Sequence, residues 1–171
     1  MKKIVMMVVV LAMSMATMAQ GQNEQVTKIR KKYAEAKEII ASKQKAEIPL
    51  DETEVTSNYM APGAGPIKDV THYFYDAEFD ENLGSYFYTP YFITRKFNVG
   101  ATDYYEEFLF DKDNLVFYFC KYEGNEIRYY WGENGFFHEA IKGQREMDEV
   151  FALRLANDLK EAFNKLMNRE Y

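Results

Sequence analysis

The chain has 171 residues, with 21 Lys+Arg against 27 Asp+Glu and a formal net charge of −6. That balance argues against nucleic acid, which selects basic surfaces, and against an electrostatically held anionic membrane. The single cysteine, Cys120, excludes an intramolecular disulfide, so the fold must rest on an apolar core, which one domain of this length supplies.

Residues 1–19 read as a secretory signal peptide. Lys2 and Lys3 form a positive start, residues 4–15 an apolar run, and Thr17-Met18-Ala19 a small-residue cleavage site. The apolar run is short for a membrane span. The expectation is export to the periplasm or beyond, with residues 20–171 as one domain and no membrane insertion once the signal is removed. Loss of Lys2 and Lys3 leaves 19 basic against 27 acidic groups and moves the charge to −8.

Residues 24–45 carry Val26, Ile29, Tyr33, Ala36 and Ile40 at steps of three and four, which predicts an amphipathic helix lying on a sheet. Lys28, Arg30, Lys31 and Lys32 populate its solvated side. Residues 47–69 read as irregular, interrupted by Pro49, Pro62 and Pro66. Tyr59 and Met60, beside the Pro/Gly turn, are candidate contact residues. The turn has no Gly-Lys-Ser/Thr ending, which excludes a phosphate cradle. A strand is predicted over 70–75, then an acidic tip at 76–84. Asp76, Glu78 and Asp80 alternate, but the places for Gly and Glu in a calcium loop hold Glu81 and Phe87. No metal or cofactor is expected. Residues 85–97 predict another strand, in which Pro90 marks an edge or a bulge. Phe87, Tyr91, Ile93 and Phe97 are assigned to one face, Tyr88, Phe92, Thr94 and Lys96 to the other.

Residues 103–141 contain one pattern twice. Phe110-Asp-Lys-Asp-Asn-Leu-Val116 aligns with Trp131-Gly-Glu-Asn-Gly-Phe-Phe137, each a strand, polar tip and strand. Asn114 and Gly135 fall together, where a tight hairpin calls for a residue tolerant of positive φ. Two hairpins joined at Glu123-Gly124-Asn125 predict a four-stranded antiparallel meander, and Leu115 to Cys120 is apolar on both faces, as in a covered central strand. Even-length tips would group Tyr104, Glu106, Phe108 and Phe110 with Leu115, Phe117 and Phe119. They would also set Arg128 beside Glu139 as a cross-strand ion pair. Residues 147–168 predict a second helix with a stripe of Val150, Phe151, Leu155, Leu159, Ala162, Phe163 and Leu166. The fold class is therefore α+β: helix, antiparallel sheet of about five to seven strands, helix packed on the sheet.

Chemical motifs are sparse. There is no His-Glu-x-x-His, no Gly-x-Ser-x-Gly and no dinucleotide fingerprint. Cys120 could pair only with His72 or His138, and a buried inert thiol is the better reading. Glu106 and Glu107, set between apolar strand residues, are the least ordinary carboxylates. Fourteen tyrosines are the larger anomaly. Tyr104, Tyr105, Tyr118, Tyr122, Tyr129 and Tyr130 cluster on adjacent strands, a composition suited to protein interfaces and sugar stacking. The expected function is a non-catalytic binding domain whose sheet face and Pro/Gly loop contact a protein or glycan. The alternative is a small hydrolase using carboxylates or a Cys/His pair. An exposed aromatic face favours the first; a cleft holding a histidine against a carboxylate favours the second.

With its methionine-rich leader and hairpins tipped Asp-Lys-Asp-Asn-Leu and Gly-Glu-Asn-Gly-Phe, the chain resembles small exported α+β proteins of unknown function from gut Bacteroidetes. A long helix with an antiparallel sheet is also similar in architecture to cystatin-like and beta-lactamase-inhibitor-like folds. Neither resemblance implies a functional residue.

Overall fold

The computed structural model describes residues 2–46, 51–82 and 84–168. Its elements are α1 (Lys2–Lys45), β1 (Glu52–Ala61), β2 (Gly65–Asp80), β3 (Ser85–Val99), β4 (Thr102–Asp111), β5 (Asn114–Tyr122), β6 (Asn125–Gly132), β7 (Gly135–Lys142) and α2 (Glu149–Met167). The seven strands form one antiparallel sheet in chain order. The expected α+β architecture is thus found, with the strand count at the top of its range.

The helices lie on opposite faces. On one, Val26, Ile29, Ala36 and Ile40 of α1 bury against Phe74, Phe92, Leu109, Phe117 and Tyr130. On the other, Ala152, Ala156 and Phe163 of α2 meet Tyr73, Ile93, Phe108, Tyr118, Ile127 and Tyr129. A sheet covered on both faces explains why its middle strands read as apolar on both sides. The α1 stripe is the one read from the sequence. The α2 stripe is rotated: Val150, Phe151 and Leu166 remain exposed, while the small Ala152 and Ala156 turn inward. Two alanines let the helix approach a floor of aromatic rings, which bulkier residues at those places would hold off. Asp148 caps α2 by accepting from the Phe151 amide at 2.7 Å.

The faces assigned to the hairpins need correction, for one repeated reason. Each return strand carries an extra residue. Register shifts lie at Phe74/Tyr75 for β2–β3, Leu109/Phe110 for β4–β5 and Tyr130/Trp131 for β6–β7. The inserted residues are Tyr91, Val116 and Phe137, and all three turn toward α1. A bulge reverses the alternation beyond it. Phe117 and Phe119 therefore lie on the α1 face, and Tyr118, Cys120 and Tyr122 on the α2 face with Glu106 and Phe108. The assignments of Phe87, Tyr88 and Tyr91 fail for the same reason. So does the Arg128–Glu139 pair: Arg128 faces Ala140 and bonds Glu126 at 2.7 Å, while Glu139 meets Arg145 at 3.4 Å. The tip of β4–β5 is a two-residue turn as expected, but the positive φ falls on Lys112, not Asn114; Gly135 has φ +96°.

Residues 51–69 are not irregular. They hold β1, the turn at 62–64 and the start of β2; residues 47–50 lie outside the described residues. β1 is an edge strand with polar residues on both faces, so it lacks the apolar alternation by which strands are recognised. At its other side, the β2–β3 hairpin outruns its neighbours. Beyond Phe74 and Phe92 it loses β1 and β4 and projects as a two-stranded ribbon. Pro90 sits at its bulge, and the ribbon rejoins α2 where the Asn168 side chain bonds both backbone groups of Tyr88 at 2.8 Å.

Helix α1 is continuous from Lys2, so the apolar run at 4–15 and the amphipathic stretch lie on one helix. Among the described residues, no helix is long and apolar enough to cross a membrane.

Candidate functional site

The chemistry-bearing residues are ordered by cross-strand rows. Glu106 and Glu107 are neighbours on β4, so their side chains leave opposite faces, and neither has any exposed surface. On the α2 face, Glu106 accepts from Arg95 Nη1 at 3.1 Å and from the Tyr118 hydroxyl at 2.7 Å. Arg95 in turn donates through Nε and Nη2 to Asp69 at 2.9 and 2.5 Å. Burial pushes the Glu106 carboxyl above its ordinary value, with the Arg95 charge opposing that shift. On the α1 face, Glu107 accepts from the Tyr33 hydroxyl, from the Tyr105 hydroxyl at 2.6 Å and from Lys37 Nζ at 2.7 Å. It thereby ties α1 to the sheet. Burial, then the bonded carboxylate, pushes the Tyr33 and Tyr105 hydroxyls upward.

Two adjoining cavities open on the α1 side. The first, about 400 Å³, lies under the C-terminal half of α1 and is lined by Lys37, Glu52, His72, Thr94 and Glu107. His72 bonds Glu52 through Nδ1, and its Nε2 stands 3.5 Å from Glu54 Oε2. The second, about 640 Å³, continues past the end of α1's coverage. Its floor is the row Val70, Lys96, Tyr105, Lys121 on β2 to β5, with Lys68 and Asp103 one row out. Lys96 and Tyr105 line both cavities. Lys68, Lys96 and Lys121 are exposed, and among the described residues none of them makes an ion pair within 4 Å. Lys96 Nζ lies over the Tyr105 ring, 5.6 Å from its centroid.

The tyrosine cluster divides. Tyr118, Tyr122, Tyr129 and Tyr130 are core residues with at most 1 % of their surface exposed, which corrects their assignment to an open contact face. Their hydroxyls explain the tyrosine count. Tyr122 donates to the Gln144 carbonyl at 2.7 Å and Tyr129 to the Met147 carbonyl at 2.6 Å, while Tyr130 accepts from Arg30 Nε at 3.3 Å. Each ring fills core while its polar end satisfies a connection or helix. Tyr104 and Tyr105 are half-buried and part company: Tyr105 floors the larger cavity, whereas the Tyr104 ring lies on the α2 face, stacked on Phe97 and Tyr122, and its hydroxyl donates to Glu146 at 3.0 Å. Tyr59 and Met60 are exposed, and Met60 belongs to the α1 face at the same end of the sheet. The lysines were missed. Their only sequence signal was a basic residue on each of β2, β3 and β5, and the register needed to group them depends on the turns and bulges.

The Cys/His alternative is corrected by topology. Cys120 shares its row with Glu106 on the α2 face, whereas His72 and His138 project from the α1 face. Cys120 has no exposed surface, and burial, with the nearby Glu106 charge adding to it, pushes its thiol up to about 12. It is therefore expected not to react with Ellman's reagent at pH 8 in the native protein and to react fully in 6 M guanidinium, roughly the strength that unfolds even hyperstable domains. Native-state labelling within minutes would contradict this burial. Asp76, Glu78 and Asp80 lie along β2, and the described residues hold no group of three side chains suited to a metal. The chain matches no family model, no curated protein and no solved structure.

Proposed function

We propose that this protein is an exported, non-catalytic binding domain that holds a protein or glycan partner in the groove on the α1 side of its sheet. The observation that carries the reading is the 640 Å³ groove, floored by Tyr105 and flanked by Lys68, Lys96 and Lys121, cations with no ion pair of their own among the described residues. Concave sites that set a few polar groups around an aromatic surface are the usual form of ligand sites. The leader-like residues 1–19 support export. Met60, on the same face, would extend the contact toward the Pro/Gly turn.

One observation favours a hydrolase instead: the smaller cleft brings His72 against Glu52, near Lys37 and Glu107. Its groups are already engaged, however. Both ring nitrogens of His72 face carboxylates, and Glu107 is saturated by three donors. The lining contains no serine or cysteine; its one candidate nucleophile is the hydroxyl of Thr94, the cross-strand partner of His72. Hydrolysis of p-nitrophenyl esters or glycosides, lost in His72→Ala, would establish that alternative over ours.

The test is a glycan and peptide array with the purified protein, followed by titration of any hit. The double variant Lys96→Ala/Lys121→Ala is expected to weaken binding at least tenfold with no change in circular dichroism. A hit that binds the double variant equally well would move the site elsewhere.

A further inference from the structure

We infer that the groove's ligand is an acidic saccharide, one whose carboxylate or sulfate groups are held by Lys96 and Lys121 on either side of the Tyr105 ring; this rests on the binding reading above and specifies its ligand. Tyr105 is the direct cross-strand partner of both lysines. Three strands at ordinary spacing put the two lysine backbones about 9.5 Å apart, with one ring between them. The ring is fixed in advance. Its hydroxyl donates to the buried Glu107 at 2.6 Å, and Glu107 is itself held by Lys37 of α1. A side chain ordered before binding loses less entropy when the ligand arrives.

The groove lining is richer in cations than the chain as a whole, with Glu126 facing Lys121 across β5–β6 just beyond it. The groove lining carries Lys68, Lys96 and Lys121 against Asp103 and Glu123, three positive groups to two negative, in a protein of net charge −6. One of the two carboxylates is already engaged, since Glu123 accepts from the Thr102 hydroxyl at 2.6 Å. Lys96 rests over the Tyr105 ring, an arrangement worth only about 0.5–1 kcal/mol at an exposed site. An anionic group outcompetes that contact. As Lys96 swings onto it, the ring face is freed for the apolar side of a pyranose.

An acidic peptide would carry the same charge, but the backbone argues against it. The floor is made by β2 to β5, interior strands whose amides and carbonyls are spent in the sheet along the groove. A peptide recognised by strand addition needs a free edge. A saccharide needs only side chains, and those are what the groove offers.

The experiment is calorimetric titration of the full chain with an oligogalacturonate, its fully methyl-esterified form, sulfated dextran and polyglutamate. The expected result is binding of an acidic saccharide, weakened at least tenfold by Lys96→Ala/Lys121→Ala and falling with added salt. Whichever of oligogalacturonate and sulfated dextran binds identifies the acid group. Lys28→Ala/Lys31→Ala, on the outward side of α1, is expected to leave the affinity unchanged. Equal binding of the methyl ester overturns the acidic assignment while leaving a binding domain for neutral sugars. Equal or tighter binding of polyglutamate overturns the saccharide in favour of an acidic protein segment. If none of the four binds while an array hit is still lost in the lysine variant, the ligand class is overturned but the groove stands.

Discussion

Arg95→Met is expected to destabilise the fold by about 3–5 kcal/mol, because it leaves Glu106 and Asp69 without the cation that offsets their burial. For a domain of this size that is a fall in Tm of roughly 6–20 °C. Among the described residues every buried side-chain polar atom has a partner, so the loss is not absorbed by a spare donor. The pH dependence has a definite sign. Burial already raises the Glu106 carboxyl above its ordinary 4.5, and removing the guanidinium that opposes the shift raises it further. A raised folded-state value means that the contribution is fully present below the unfolded value and is lost as pH climbs through the folded one. The variant's deficit is therefore smallest near pH 4 and largest above the raised value. Adding Glu106→Gln should recover part of it at neutral pH by removing the uncompensated charge. Urea denaturation at pH 4, 5.5 and 7 reads all three statements. A deficit of less than about 1 kcal/mol at every pH, the worth of a solvated pair, would mean that the network is open to water.

Phe163→Ala is the second large effect, about 3–5 kcal/mol. Phe163 is fully buried, and its ring centroid lies 5.3 Å from those of both Tyr73 and Tyr75. Those contacts begin an aromatic ladder that leaves the core. Tyr75 meets Tyr88 at 5.5 Å, Tyr88 meets Tyr86 at 6.5 Å, and Tyr86 meets Phe79 at 5.3 Å on the projecting ribbon. Removing the first ring should loosen the ribbon as well as α2. Hydrogen exchange is then expected to speed up across residues 75–90 while β4 to β6 stay protected. A uniform acceleration over the whole sheet would show that the ribbon has no separate dependence on Phe163.

Much of this architecture was legible in the sequence because its signals are local. The α1 stripe from Val26 to Ile40 and the two aligned hairpin tips needed only spacing and turn chemistry. One bulge was legible, since Pro90 marks the place beside Tyr91; the other two were not. Val116 and Phe137 are ordinary strand residues, and nothing local marks them as the extra member of their pairs. From each of them onward a strict alternation gives the wrong face, which is how Tyr118 and Cys120 were grouped away from Glu106. The tyrosines misled for a related reason. A residue that reads as half-exposed because it carries a hydroxyl becomes core when a carbonyl such as those of Gln144 and Met147 is brought to it. The groove escaped because lysines at 68, 96 and 121 become neighbours only after β2 to β5 are in register.

The chain-order sheet also bears on how the molecule assembles. Every strand pairs only with the strand before and after it, so the sheet can zip from any hairpin without closing a long loop, the regime of low contact order and rapid folding. Helix α1 is the exception. It precedes the sheet in the chain, yet Arg30 bonds Tyr130, a partner 100 residues later. Its apolar stripe meets Phe74 and Phe92 of β2 and β3 early, yet is fully covered only once Tyr130 of β6 has emerged, so the docking of α1 is completed late.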